Sequence, residues 1–363
     1  MDSTELLHYA CNTVVQHGNL FVMKPWIVNG LATLVAAVSL PANAQSDEPP
    51  VTFEVAADAI SETMHQYHFD PAVLSEPEFL AIETRVRAHA ERAQSREDFV
   101  EGFNQIWRDG PFSHVVLRIA SASAEETATY LDTLRVGETG ASLTWSGDVA
   151  VLTVTTMMGL DTIEQIDAAY AQIADRGADA LIIDLRDNGG GAFAVRPLVG
   201  HVLQDAHEAG VFTSRRWTDL HDAPPTQADA ETVVPWEGWS VRTFWRDVQD
   251  ELLIRVQFQP IDPAFDGPVF VLTSSQTASA SELAVDALQS SGRAVVLGEQ
   301  TAGEMLSQKL FDIPQGFHLY LPIADYFSAH NGRIEGVGVA PDIAVDADEA
   351  MAAALERAGE VDR

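Results

Sequence analysis

The stretch Ala180-Leu181-Ile182-Ile183-Asp184-Leu185-Arg186-Asp187-Asn188-Gly189-Gly190-Gly191 decides how this chain folds. Its first six residues form an apolar run bounded by turn residues, the pattern of a strand covered on both faces, which belongs in a mostly parallel sheet. The three glycines that follow can take positive φ and bring backbone N–H groups up to a bound anion. Such a loop can hold an oxyanion, or serve only as a structural turn. A phosphate cradle is the rival reading, but the run has neither the Gly-Lys-Ser/Thr ending of a P-loop nor the spacing of a dinucleotide fingerprint.

The alternation of strand and helix extends on both sides. Val149–Thr155 reads as a strand and Asp161–Arg176 as a helix whose Ile163, Ile166, Tyr170 and Ile173 share one face. Asp161 and Glu164 stand where they can cap its first turn, and Gly177 ends it. Downstream, Pro268–Thr273, Ala294–Leu297 and Phe317–Ile323 read as strands and Ser279–Ser290 as a helix. The fold class is therefore α/β, with a β/α core over residues 142–350. Within it, residues 205–265 show no clear period and hold Pro224-Pro225 and four tryptophans, so they are expected as an excursion over the core. Trp236, Trp239 and Trp245 could line a substrate groove, although pinning an excursion to the core is the commoner use of such rings.

Ahead of the core, Phe53, Ala57, Ile60 and Met64 recur at helical spacing, and Phe99, Phe103, Ile106 and Trp107 repeat the stripe. Tyr67-His68-Phe69-Asp70-Pro71 breaks the period, because proline disfavours helix in the residue before it. Residues 45–120 are thus expected as a small helical subdomain ending in a short strand, Val115–Ile119. Residues 121–141 are expected as a linker and residues 351–363 as a C-terminal tail.

Met23-Lys24, the apolar run Ile27–Leu40 and Ala42-Asn43-Ala44 together have the form of a cleaved signal peptide over residues 23–44. Residues 1–22 then read as an upstream extension, and export to the periplasm or outside the cell is expected. The run is shorter than the roughly 20 apolar residues of a membrane span, so no stable insertion is expected after cleavage. The only cysteine, Cys11, lies in that extension, which leaves the mature chain without disulfide or thiolate chemistry. A composition of 46% hydrophobic and 21% charged residues is that of a packed globular protein. The formal net charge of −33 argues against nucleic-acid and membrane-surface partners. That acidity reads as a solvated surface, with a field favouring cationic substrates as the sharper alternative.

A second segment with chemical potential is Gln276-Thr277-Ala278-Ser279-Ala280-Ser281-Glu282, at a strand-to-helix junction. A serine there can lift its hydroxyl out of the sheet while the free N–H groups of the helix start face developing negative charge. Ser279 with Glu282 also has the spacing of a capping box, so an N-cap is the plain alternative. Histidines abound in this chain and most often only pack, and no HExxH or comparable ligand spacing supports a metal site.

These two segments are followed by Gly292-Arg293-Ala294-Val295-Val296-Leu297-Gly298-Glu299-Gln300-Thr301-Ala302-Gly303 and by Glu335-Gly336-Val337-Gly338-Val339-Ala340-Pro341-Asp342. In that order, and over roughly residues 55–345, the chain resembles the C-terminal-processing (tail-specific) serine peptidases. The resemblance implies a core like that of crotonase and ClpP, Ser279 as nucleophile, and an oxyanion hole from the N–H groups of Ala280 and Gly191. It also implies substrate contacts at Gly190, Thr301 and Gly303, and neither cofactor nor metal.

One departure matters. Where the bacterial tail-specific branch carries its general-base lysine, this chain has Glu304, and Lys309 stands too far along to replace it. In the tricorn-core branch a Ser-His pair ahead of the core supplies the base and a distant glutamate steadies that serine. Ser113-His114 and Glu335 match, so the implied tetrad is Ser279, His114, Ser113 and Glu335. The PDZ domain of many relatives has no room between Ile119 and Ser142. The expected function is an exported serine endopeptidase that cleaves peptides or unfolded protein through an acyl-enzyme. A binding protein for an apolar ligand on the same fold, as interphotoreceptor retinoid-binding protein is, and an esterase using the same residues are the alternatives. Oligomeric state is not legible.

Overall fold

The computed structural model describes residues 52–361. Its strands are β1 (Val116–Ile119), β2 (Ala141–Ser146), β3 (Val149–Val154), β4 (Ala180–Asp184), β5 (His207–Ser214), β6 (Leu253–Phe258), β7 (Val269–Thr273), β8 (Ala294–Gly298), β9 (Ser307–Ile313), β10 (Phe317–Ser328), β11 (Gly332–Arg333) and β12 (Ile343–Ala344). They form two sheets in a mixed α/β architecture.

The first sheet runs β12-β8-β7-β4-β3-β2 and is parallel except for the β2–β3 hairpin. Every residue of β4 is buried, because alternate side chains point to opposite covered faces. Leu181 and Ile183 meet the helices Leu160–Arg176, Val195–Gly200 and Ala280–Ser290 in the main core. Ala180 and Ile182 face the other way, against Ala350, Ala354 and Ala358 of the helix Ala347–Val361. Small residues every four positions let that helix lie close on the sheet.

The second sheet is antiparallel and runs β1-β10-β5-β6, with β9 and β11 also paired to β10. The helices Glu54–Tyr67, Pro77–Ala90 and Arg96–Trp107 pack their aromatic stripe on it. Phe53 stacks on Phe99 with ring centres 5.1 Å apart, and Phe317 of β10 meets both rings edge-on. Among the described residues no helix is long and apolar enough to cross a membrane.

Four expectations need correction. Residues 205–265 are more than an excursion: they supply β5 and β6, whose pairing is offset by a bulge between Glu208 and Gly210 that blurs any period. Their tryptophans are pinned inward, with Trp236 donating to Asp247 at 2.9 Å and Trp245 to the carbonyl of Gln308 at 2.9 Å. The linker 121–141 contains a helix, Ala124–Thr133, closed by a Ser123/Glu126 capping box, and residues 351–361 continue a helix that begins at Ala347. Asp161 caps nothing; its carboxylate receives the N–H groups of Val136 and Gly137, while Glu164 pairs with Arg135. The signal-peptide reading of 23–44, the extension 1–22 and Cys11 lie outside the described residues.

Candidate active site

Ser279 sits at the end of the loop that leaves β7, immediately before the helix Ala280–Ser290. Its backbone has φ 56° and ψ −124°, a conformation that L-residues adopt only when their surroundings impose it. The loop is tied to the end of β4 on both sides of its turn. Thr277 donates to the carbonyl of Leu185 at 2.9 Å, and the N–H of Ala278 donates to that of Asn188 at 3.1 Å. Ser279 is the N-cap residue of that helix, so the capping-box spacing with Glu282 read from the sequence is present in the structure. The reciprocal contact is present: the carboxylate of Glu282 accepts the N–H of Ser279 at 2.9 Å.

The glycine run lies against this elbow. Buried Asn188 shapes it, donating to the carbonyl of Val154 at 3.0 Å and accepting the N–H of Gly190 at 2.9 Å. Gly190 has φ 94°, and a Cβ there would stand 2.6 Å from Cβ of Ser279 and 3.1 Å from the nitrogen of Ala280. Only glycine fits. Neither Gly191 nor Ala280 has its N–H engaged by a described residue. The two donors expected for an oxyanion are therefore unengaged beside the serine.

Ser113 and His114 lie just ahead of β1. The hydroxyl of Ser113 donates to Oε1 of Glu335 at 2.8 Å and meets Nδ1 of His114 at 2.7 Å. A hydroxyl has one proton, so with that proton on Glu335 it accepts from Nδ1–H, which leaves Nε2 as the basic nitrogen. Burial lowers the pKa of His114, and the charge of Glu335 opposes that shift. His114 also has positive φ, 62°. The corner is braced from behind: Phe112 packs on His68 with ring centres 4.0 Å apart and on Trp107 at 5.3 Å.

One loop links the two halves. Glu282, fully buried, accepts from Thr301 Oγ1 at 2.6 Å and from the N–H groups of Gly303 at 2.7 Å and Glu304 at 2.9 Å. Burial raises its pKa, and those hydrogen bonds act in the opposite direction. The next two N–H groups, of Met305 and Leu306, go to Oε2 of Glu335 at 2.6 and 3.1 Å. Four consecutive amides are thus divided between the acid beside Ser279 and the acid behind His114. Ser279 and His114 are joined through this loop, and no hydrogen bond between their side chains is present among the described residues.

Thr301 and Gly303 direct their polar groups inward. The Thr301 hydroxyl also accepts the N–H of Val339 at 2.7 Å. Lys309, in β9, bonds Gln249. Sequence reasoning gave Glu282 only a capping role; three of the four donors that converge on it come from Thr301, Gly303 and Glu304, whose proximity no local pattern reveals.

Residues 148–345 match the model of peptidase family S41. The chain belongs to that family. A curated relative, the carboxyl-terminal-processing protease of Picosynechococcus sp., is 30% identical over 178 residues, covering 49% of this chain and 34% of that protein. The chain spans about a third of the length of the first curated relatives it matches. Among solved structures, a Parabacteroides merdae protein aligns with a TM-score of 0.58 at 16% identity, over 85% of this chain and 97% of that one. The photosystem II D1 C-terminal processing protease aligns at 0.50 and 14% identity, over 82% and 94%. At these identities the likeness speaks to the fold.

Proposed function

We propose that this S41 member is a serine endopeptidase that works through an acyl-enzyme. Ser279 Oγ attacks a peptide carbonyl while Nε2 of His114 takes its proton, and the N–H groups of Ala280 and Gly191 receive the negative charge on the carbonyl oxygen. The C–N bond then breaks as His114 returns the proton to the leaving amine. Water, deprotonated by the same imidazole, releases the acyl group. Gly190 gives the close backbone approach, and Thr301 and Gly303 shape the floor beside it.

The observation that supports this reading best is the relay from His114 through Ser113 to Glu335, with Glu335 fixed by the amides of Met305 and Leu306. An acid held in that way stabilises the imidazolium that forms during attack. The substrates are taken to be peptides or unfolded protein, and a core like that of crotonase and ClpP and export to the periplasm or outside the cell belong to the same reading. Between β1 and β2 stands the ten-residue helix Ala124–Thr133, so no tail-binding module is placed there.

A fluorophosphonate probe tests the mechanism, because only an activated serine reacts. The full chain should label, Ser279→Ala should not, and His114→Ala should label about 10³-fold more slowly or less. Labelling that survives Ser279→Ala would remove the nucleophile, and a folded wild type that does not label would point to a binding protein.

A further inference from the structure

Glu304 has no task in the mechanism, although its backbone lies beside the groups that carry it. It is half-buried, and its carboxylate takes no hydrogen bond or ion pair from any described residue. Its position follows from its backbone. The N–H groups of Glu304 and Ser279 both donate to the same oxygen of Glu282, each at 2.9 Å, so the two nitrogens lie no more than twice that distance apart. The following amide holds Glu335. Residue 304 therefore lies between the nucleophile and the acid behind the base.

The charged groups beside it are Glu335 and Glu282, and burial together with these two pushes its pKa up. Those neighbours are themselves engaged by three and four donors; Glu304 has none. A part-buried carboxyl that faces only like charge is relieved by a cation. The nearby cations of the chain are committed elsewhere, Arg333 to Asp325 and Lys309 to Gln249. The remaining source is the substrate, and a formal net charge of −33 concentrates cations around the molecule.

We propose that Glu304 is a specificity-determining residue that selects peptides carrying an ammonium or guanidinium side chain, lysine or arginine, beside the scissile bond. The proposal rests on the peptidase reading for the location of the substrate, so its test includes binding without turnover. Peptides acetylated and amidated at their ends, carrying a single lysine or norleucine at each position around the bond, are titrated against Ser279→Ala and turned over by the wild type.

At one position lysine should be favoured about tenfold in affinity and in kcat/KM. That preference should fall to within about twofold in Glu304→Gln and Glu304→Ala, and Glu304→Lys should favour a glutamate peptide instead. Equal binding of lysine and norleucine at every position, or a lysine preference that Glu304→Gln and Glu304→Ala leave intact, would overturn the assignment. So would an unacetylated norleucine peptide that binds as tightly as the lysine one, since the chain terminus would then be the recognised group. If the wild type resists the fluorophosphonate while Ser279→Ala still shows the Glu304-dependent preference, the mechanism fails and the recognition stands.

Discussion

Ser279 is held by what lies directly against it: the strand-to-helix junction, the carboxylate of Glu282 three residues on, and a glycine run that follows the adjacent strand β4. His114 is held by remote parts of the chain. Its partner serine reaches Glu335 across 222 residues, and its corner leans on rings from the N-terminal helices. The half around Ser279 is thus specified by steric exclusion at a few backbone positions, and the half around His114 by hydrogen bonds and ring packing between separate layers. The first kind of construction fails abruptly when an atom is added; the second fails by degrees as contacts are removed.

The abrupt case gives the largest expected effect. Gly190→Ala places a methyl group 2.6 Å from Cβ of Ser279 and on a φ of 94°, so the elbow has to move. The labelling rate should fall at least about 10²-fold, since a displacement on the order of 1 Å costs that much in a positioned reaction. Stability should drop by about 2–3 kcal/mol in chemical denaturation. A Gly190→Ala enzyme that labels normally would mean that the glycine run does not define the elbow.

On the base's side, Glu335→Gln should lower kcat by roughly 10²-fold while the chain stays folded. The accompanying pH shift has a definite sign. In the proposed mechanism neutral His114 is the active form, and the charge of Glu335 favours its protonated form. Removing that charge should move the acid limb of kcat/KM to lower pH. A limb that stays in place would separate Glu335 from the imidazole.

The smallest effect on activity is expected in the aromatic brace. His68 is buried, its Nε2 has no partner, and burial lowers its pKa to about 4. The unfolded chain binds this proton near pH 6.5 and the folded chain near pH 4. Stability therefore falls as pH drops through that window, by up to about 3 kcal/mol. His68→Phe keeps a ring against Phe112 and should flatten that dependence in pH-resolved thermal melts, with turnover at neutral pH changed less than about twofold. An unchanged pH slope would mean that another group carries the loss.

The parallel sheet and the serine elbow were legible because strand, turn and helix follow one another within a dozen residues. The antiparallel sheet was legible only in β1 and β10. β5 is interrupted by a bulge between Glu208 and Gly210, whereas the alternation Ile254-Arg255-Val256-Gln257-Phe258 of β6 carried its own strand signal, which went unread inside the excursion. The helix Ala124–Thr133 carried its own signal, serine and glutamate three apart, which went unread as part of a linker. The alanines at 350, 354 and 358 look featureless until the sheet face they cover is present. At the site, the resemblance brought Ser113, His114 and Glu335 together, whereas the roles of Glu282 and Glu304 follow from amides aimed at carboxylates, and a sequence does not display the direction of an N–H group.

The run of four amides from Gly303 to Leu306 has a mechanical consequence. A ribbon gripped at both ends by buried carboxyl groups cannot slacken at one end without pulling on the other, so Ser279 and His114 share a single tether. Damage anywhere along it should register as simultaneous loss of alignment in both, which makes this short strip the point where the centre is most economically switched off.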